Sequence, residues 1–263
     1  MDALIGQLNL DPDAVEATAL TLTDFIGDAY VRQSRLMGAF MQEHSGFVPE
    51  RALHVSAWSN GYPLSCLMQV MTAWPAEASA DPLAVEQVAQ MLAQTRRHVH
   101  VVEWAGTGAQ ALSTFLACPH WLGGSPTLPI DLPTLYLLKA YDTLFNTLGQ
   151  PEERLLRYLQ QANAVISKRP GKRQLAVQAH TCNAALASLL GWSESEIAVL
   201  TAQLPQHTAK TVAHIDWVRR AQALALDTGL NATSLLQACA LNADSPEADW
   251  QAVGQAAMAA AQA

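Results

Sequence analysis

Charged residues are scarce in this sequence. Only 14% of the 263 residues are Asp, Glu, Lys or Arg, whereas an average domain holds about 25%. The formal net charge is −8, and the concentrated basic face typical of nucleic-acid-binding proteins is missing. One short basic segment, KRPGKR, runs from Lys168 to Arg173, and we interpret it as a solvated loop. The composition therefore argues against nucleic acid as a partner.

Aromatic and β-branched residues are also sparse. Aromatic residues make up 6% of the chain, whereas hydrophobic residues make up 50%. Alanine and leucine dominate, and no segment alternates apolar and polar residues over the length of a strand. This balance favours helices over strands. We predict an all-α fold, an array of roughly ten antiparallel helices.

Three further absences limit the class of protein. No apolar run approaches the roughly 18 residues of a membrane-spanning helix. The N-terminus lacks the basic start and apolar run of a conventional secretory signal. The four cysteines, Cys66, Cys118, Cys182 and Cys239, include no C-x-x-C pair, so we interpret them as reduced and mostly buried thiols.

Helix starts are well marked in the sequence. Asp11 and Asp81 each precede a proline, as Ser245 does, and such a pair predicts a capping side chain followed by proline in the first turn. The segment SESE, which starts at Ser193, matches a capping box in which Glu196 reaches back to the cap. We therefore expect helices to begin at each of these four places, and Asn231, just before Ala232, predicts a further helix cap.

A glycine recurs between a long helical pattern and a short one. It stands at Gly46, Gly149 and Gly229 and, more loosely, at Gly108. Glycine readily adopts the left-handed conformation that ends a helix. The pattern predicts a repeated unit of long helix, glycine corner and short helix. The spacing between these glycines is irregular, so the repeat does not fit the regular solenoid families.

The candidate metal ligands form no convincing set. His98 and His100 are two residues apart, which places them on different faces of a helix, whereas zinc ligands on one helix are usually four apart. Cys118 and His120 form another close pair without a matching partner pair. We interpret Cys118 as a core residue and His120 as a loop residue, and we predict no metal or other cofactor.

No catalytic motif is found in the sequence. There is neither a G-x-S-x-G nucleophile turn nor a phosphate-binding G-K-[ST] loop. Asp24 and Asp216 each precede an aromatic residue, and a carboxylate beside a tryptophan can act as a tuned acid. The commoner arrangement is a surface aspartate at the edge of an apolar stripe, and we predict that arrangement. The set of predicted catalytic residues is therefore empty.

Several segments resemble one known family. The segment AKTVAHIDWVRRAQALALDTGLNATSLLQACALNADSPEADWQAVGQAAMAA, residues 209–260, is similar to a segment of the A component of insecticidal toxin complexes, the Tc toxins. Four shorter segments resemble the same family and occur in the family's order. They are ALTLTDFIGDAYVRQSRL at 19–36, ALSTFLACPHWLG at 111–123, YLQQAN at 158–163 and LASLLGWSESEIAVLTAQLP at 186–205. These segments pack helices and carry no catalytic group.

The resemblance implies a structural role. It implies that the chain is part of the α-helical shell of a secreted bacterial toxin, a virulence factor, in which a pentamer surrounds a translocation channel. Other parts of the A component would be its partners, the pentamer would need the full-length protein, and the segment would not cross the membrane. Residues 1–263 would form one domain, or two subdomains, 1–125 and 126–263. Two alternatives are a helical module that binds a receptor or partner subunit, and a helical metal-dependent hydrolase.

Overall fold

The fold consists of helices throughout the part of the chain that can be described. The computed structural model describes residues 46–60, 82–149, 151–165, 167 and 170–262, with scattered positions between 24 and 43. These residues contain eleven α-helices and one 3-10 turn and no strand. The all-α prediction is therefore confirmed. The predicted caps at Asp11 and Asp81, and Cys66, lie outside the described residues.

The helices follow one another with short connections. They are α1 (Pro49–Asn60), α2 (Pro82–Ala105), α3 (Ala109–Ala117), α4 (His120–Gly123), α5 (Leu132–Leu148), α6 (Glu152–Ala162), α7 (Lys172–Leu190), α8 (Glu194–Thr201), α9 (Val212–Thr228), α10 (Ala232–Ala240) and α11 (Glu247–Ala260), with the 3-10 turn at Pro205–His207 before α9. The chain divides into two compact units, residues 1–102 and 103–263. A single domain, or a division at 125/126, stays a prediction.

In the first unit, α1 packs on α2 through a buried contact that combines hydroxyl groups and aromatic rings. The hydroxyl groups of Ser59 and Thr95 lie 3.0 Å apart in a hydrogen bond. The Trp58 and His98 rings meet edge to face, with their centroids 4.8 Å apart. The two hydroxyl groups satisfy each other, so they can be buried without a large desolvation cost.

In the second unit, each short helix packs beside a neighbour in a continuous array. Helix α3 contacts α4 and α6, α5 contacts α9, α7 contacts α6 and α8, and α10 contacts α8, α9 and α11. The fully buried core includes Leu112, Phe115, Leu138, Tyr141, Leu144, Leu155, Leu156, Leu159, Leu186, Ile197, Leu200 and Ile215. The Phe115 and Tyr141 rings meet at a right angle, with centroids 5.1 Å apart, a favourable aromatic geometry.

Three of the four predicted glycine corners are confirmed. Gly46, Gly149 and Gly229 have φ of 72°, 55° and 70°, the left-handed region that ends a helix. The prediction for Gly108 is wrong, because this glycine has φ −71° and begins α3. The left-handed residue is Gly106, with φ 70°, two positions earlier. The unit of long helix, corner and short helix is thus present, and its glycine is displaced at this site.

Among the predicted caps that lie in the described residues, Asn231 is confirmed, whereas Ser245 and Ser193 are not. The side chain of Asn231 accepts a hydrogen bond from the Ser234 amide at 2.8 Å. Ser245 does not cap α11, because its hydroxyl accepts from the Asn242 amide instead and Pro246 takes the cap position. The predicted capping box at residues 193–196 is also wrong, because Ser193 makes no capping hydrogen bond.

The cysteines differ from one another in exposure. Among the described residues Cys118, Cys182 and Cys239 are free thiols, and Cys182 is buried. Burial raises the pKa of the Cys182 thiol. Cys118 is only partly buried, and Cys239 is exposed, because it lies on the outer face of the short helix α10. The prediction of mostly buried thiols is therefore wrong for Cys239.

Candidate functional site

Asp216 is the most unusual charged residue among those described. The sequence indicated a surface aspartate, and this prediction is wrong, because Asp216 is only 1% exposed. Its oxygens accept hydrogen bonds from the Tyr136 hydroxyl at 2.8 Å and Arg219 Nη2 at 2.9 Å, and Arg220 Nε forms an ion pair with Oδ2 at 3.0 Å. Buried carboxylates are tolerated when donors and positive charge surround them in this way. We call Asp216, Tyr136, Arg219 and Arg220 the Asp216 cluster.

The Asp216 cluster is built by helical spacing and by one distant contact. Arg219 and Arg220 follow Asp216 by three and four residues on α9, so all three side chains share one face of the helix. Tyr136 comes from α5, which packs against α9. The hydrogen bond to Asp216 raises the pKa of the Tyr136 hydroxyl, so this hydroxyl stays protonated and donates. The charge pattern on α9 was readable from the sequence, but Tyr136 was not.

The chemistry of the Asp216 cluster is that of a structural joint. Both carboxylate oxygens accept hydrogen bonds from protein donors, and Arg219 and Arg220 place positive charge beside them. A carboxylate that is 1% exposed and has both oxygens paired presents no free oxygen to the solvent. The cluster therefore ties α5 to α9.

The predicted metal candidates do not come together. His98 is buried and its Nδ1 lies 2.8 Å from the Gln94 carbonyl oxygen, whereas His100 is exposed. Burial lowers the pKa of His98. His120 is exposed and begins α4, rather than lying in a loop. In the part of the chain that the structure describes, no three His, Cys, Asp or Glu side chains are grouped to hold a metal ion.

A small cavity lies between α10 and α11. Its volume is about 190 Å³, and it is lined by Gln237, Ala240, Leu241, Ser245, Asp249 and Ala252. Pockets for drug-sized ligands usually measure about 300–1,000 Å³. The Ser245 hydroxyl already accepts a hydrogen bond from the Asn242 amide at 2.9 Å. The cavity is therefore small, and one of its few polar groups is already engaged.

The basic segment KRPGKR is only partly described by the structure. Lys168 and Arg169 lie outside the described residues. Lys172 and Arg173 form the first turn of α7, after Gly171, whose amide donates to the Gln174 side chain at 3.0 Å. Both basic side chains are exposed. The last two residues of this segment thus begin a helix rather than lying in a loop.

One exposed surface is rich in aromatic and aliphatic side chains. We call it the α5 face, and its members are Trp104, Ile130, Leu132 and Tyr136. Leu132 is 79% exposed, Trp104 is 55% exposed and Tyr136 is 49% exposed. Lys139 links Trp104 to α5, since its Nζ donates to the Trp104 carbonyl oxygen at 3.3 Å and lies 5.9 Å from the indole centroid. These contacts hold the end of α2 beside α5.

Helix α11 packs on α10 but remains largely exposed. None of its described residues is buried, although Trp250 and Met258 are large apolar side chains, 51% and 61% exposed. Across the described residues, moreover, we find no helix whose length and apolar content would let it cross a membrane. The exposed apolar side chains are thus spread over helices that also carry polar residues.

The chain is similar to a known toxin subunit. The chain is 28% identical over 210 residues to the toxin subunit YenA1 of Yersinia entomophaga, and the alignment covers 77% of this chain. No protein-family profile matches the chain. The matched region spans 17% of the length of that toxin subunit. The chain is thus similar to a limited part of a much larger protein.

Proposed function

We propose, because the chain is related to the A components of the Tc toxin family, that it forms a structural segment of the α-helical shell of such a component. In this role the segment acts by packing against other parts of a large bacterial toxin that works outside the producing cell. It has no catalysis of its own. Pentameric assembly belongs to the full-length protein, and this segment supplies part of the wall around the channel.

The α5 face is the observation that carries this proposal. Tryptophan and tyrosine are enriched in the buried centres of protein interfaces. Contiguous exposed apolar patches commonly mark surfaces that are covered in an assembly. Leu132 and Trp104 are more than half exposed in a chain whose charged fraction is only 14%. These properties support a surface that another part of a larger protein covers.

Helix α11 supports the same role independently. A surface helix normally buries one apolar stripe, whereas α11 has no buried residue. The acidic residues in its first turn number only two. Trp250 and Met258 are left half or more exposed. A neighbouring segment of a larger shell would cover these side chains.

The oligomeric state of the isolated chain tests the proposal. Stable association needs an interface of well over about 1,000 Å². A single shell segment keeps only part of that area. We expect a monomer that associates weakly and reversibly as its concentration rises, measured by light scattering after size exclusion. Leu132→Lys on the α5 face should reduce this association, and Val177→Lys, at an exposed apolar position on α7, serves as the matched control.

Three outcomes would count against the proposal. A stable pentamer of this chain alone would show that the segment itself encodes the ring. Equal effects of Leu132→Lys and Val177→Lys would remove the special role of the α5 face. A strictly monomeric chain at every concentration would remove the support that this face gives to a packing role.

A further inference from the structure

Two short helices begin without an acidic side chain of their own. Helices α3 and α10 each have nine residues and no acidic residue in the first turn. The first amides of a helix lack partners within the helix and carry partial positive charge. Helices of this length are marginal by themselves. The start of each therefore needs an acceptor from elsewhere.

At α10, the acceptor comes from a different helix. A carboxylate oxygen of Glu196 on α8 accepts a hydrogen bond from the backbone amide of Ala232, the first residue of α10. Ala232 is fully buried, so water does not satisfy this amide. Asn231 serves a different amide, that of Ser234. Glu196 and Asn231 thus stabilise separate groups of the same first turn.

At α3, a carboxylate from α6 lies against the helix start. A side-chain carbon placed on Gly108 would lie 2.9 Å and 3.0 Å from the two carboxylate oxygens of Glu152. The buried Tyr141 hydroxyl donates to Glu152 Oε1 at 3.1 Å and so holds this carboxylate in position. Gly108 provides no capping side chain. Its lack of a side chain leaves the space that the Glu152 carboxylate occupies.

We infer that Glu152 and Glu196 are positioning residues that cap a neighbouring short helix and so join adjacent units of the array. Glu152 joins the α5–α6 unit to α3, and Glu196 joins the α7–α8 unit to α10. Both carboxylates lie in the first turn of their own short helix, and each recipient helix packs on the donor helix. Because these contacts lie within one chain, the inference does not depend on the proposed shell role.

A double-mutant cycle tests the joint at α3. The backbone of Gly108, φ −71° and ψ 165°, suits alanine, so Gly108→Ala should destabilise the fold chiefly through contact with Glu152. We expect the loss in melting temperature caused by Gly108→Ala to shrink by at least about half in a Glu152→Ala background, which removes the atoms that the new side chain would meet, since residues in contact are not additive. A Glu153→Ala background, at the exposed neighbour, should leave the loss unchanged. Additive effects in all backgrounds would overturn the inference for Glu152.

Amide hydrogen exchange tests the joint at α10. In Glu196→Ala the first turn of α10 should exchange roughly tenfold faster, the factor that corresponds to losing one charge-assisted hydrogen bond. Glu196→Gln should give a smaller increase, because an amide oxygen remains, and Glu194→Ala on the same helix should give none. Exchange in Glu196→Ala equal to that in Glu194→Ala would show that Glu196 does not support α10. If Glu196→Ala does not fold, an unchanged exchange rate in Glu196→Gln has the same meaning.

Discussion

At the scale of single residues, the described parts of the chain place charge where it can join helices. Asp216 accepts hydrogen bonds from Tyr136 and Arg219, which lie on two helices, and forms an ion pair with Arg220. Sequence reasoning found the aspartate and misjudged its environment, because an apolar stripe shows which helix face is buried but not which polar residue at its edge has partners. The distant donor Tyr136 is set by the packing of α5 on α9, which the sequence of α9 does not contain.

Replacement of Asp216 tests this joint. Asp216→Asn removes the negative charge and leaves Arg219 and Arg220 without their counterion. The free energy of unfolding should fall by about 2 kcal/mol, since hydrogen bonds to charged groups contribute about 1.5–3 kcal/mol and both arginines keep some contact with solvent. Tyr136→Phe should cost about 1 kcal/mol. Chemical denaturation measures both changes, with the exposed Asp227→Asn as control, and a cost for Asp216→Asn no larger than that control would contradict the account.

The buried histidine His98 predicts a dependence of stability on pH. Burial lowers the pKa of His98 from its ordinary value of 6.5, so below that value the unfolded chain binds a proton more readily than the folded one. The free energy of unfolding should therefore decrease as the pH falls below about 6.5. Burial lowers the pKa of His54 and His214 as well, and these residues should add to the slope.

Comparison of two histidine variants isolates this effect. Between about pH 8 and pH 5, His98→Gln should lose less melting temperature than the parent chain, since its contribution to the proton difference is gone. His100→Gln, at an exposed position two residues away, should behave as the parent. An identical pH dependence for His98→Gln and His100→Gln would show that His98 does not titrate differently in the folded state.

At the scale of helices, some local signals were accurate, and the contacts between helices were not visible in the sequence. Asn231 was predicted as a cap because its acceptor and the amide it serves are three residues apart. The SESE segment failed because Glu196 bonds to α10 rather than to its own helix start. Gly108 failed for a similar reason, since its small size is required by Glu152 from α6. A rule based on one helix cannot identify an acceptor that lies on another.

Substitution of Gly229 tests the glycine corner. Gly229 follows the helix that contains Trp217, with φ 70°, and a side-chain carbon there would lie 3.1 Å from Cβ of Ala260. Gly229→Val should cost at least about 1–2 kcal/mol through the left-handed penalty, seen in thermal melts. Gly254→Ala within α11 meets no atom within 4 Å and should stabilise the chain by about 0.4–1 kcal/mol. Equal melting temperatures for Gly229→Val and the parent would refute the corner.

At the scale of the whole molecule, the composition and the residues that begin and end helices were enough to predict the fold class. The scarcity of strand-forming residues and the repeated glycine corners indicated an all-helical array, which the described residues confirm. The family resemblance found in residues 186–263 and in shorter segments agrees with the relationship to a toxin subunit. The role of the exposed surfaces could not be predicted, because it depends on what covers them in a larger protein.

A segment exchange tests the central claim most directly. In the YenA1 toxin subunit, the region aligned with this chain would be replaced by this chain, and the assembly of the purified chimera would be measured by light scattering and electron microscopy. The account predicts the same oligomer as the parent subunit, weakened by Leu132→Lys on the α5 face and unaffected by Val177→Lys. A chimera that is folded and helical by circular dichroism but does not assemble would contradict the assignment of this chain as a shell segment.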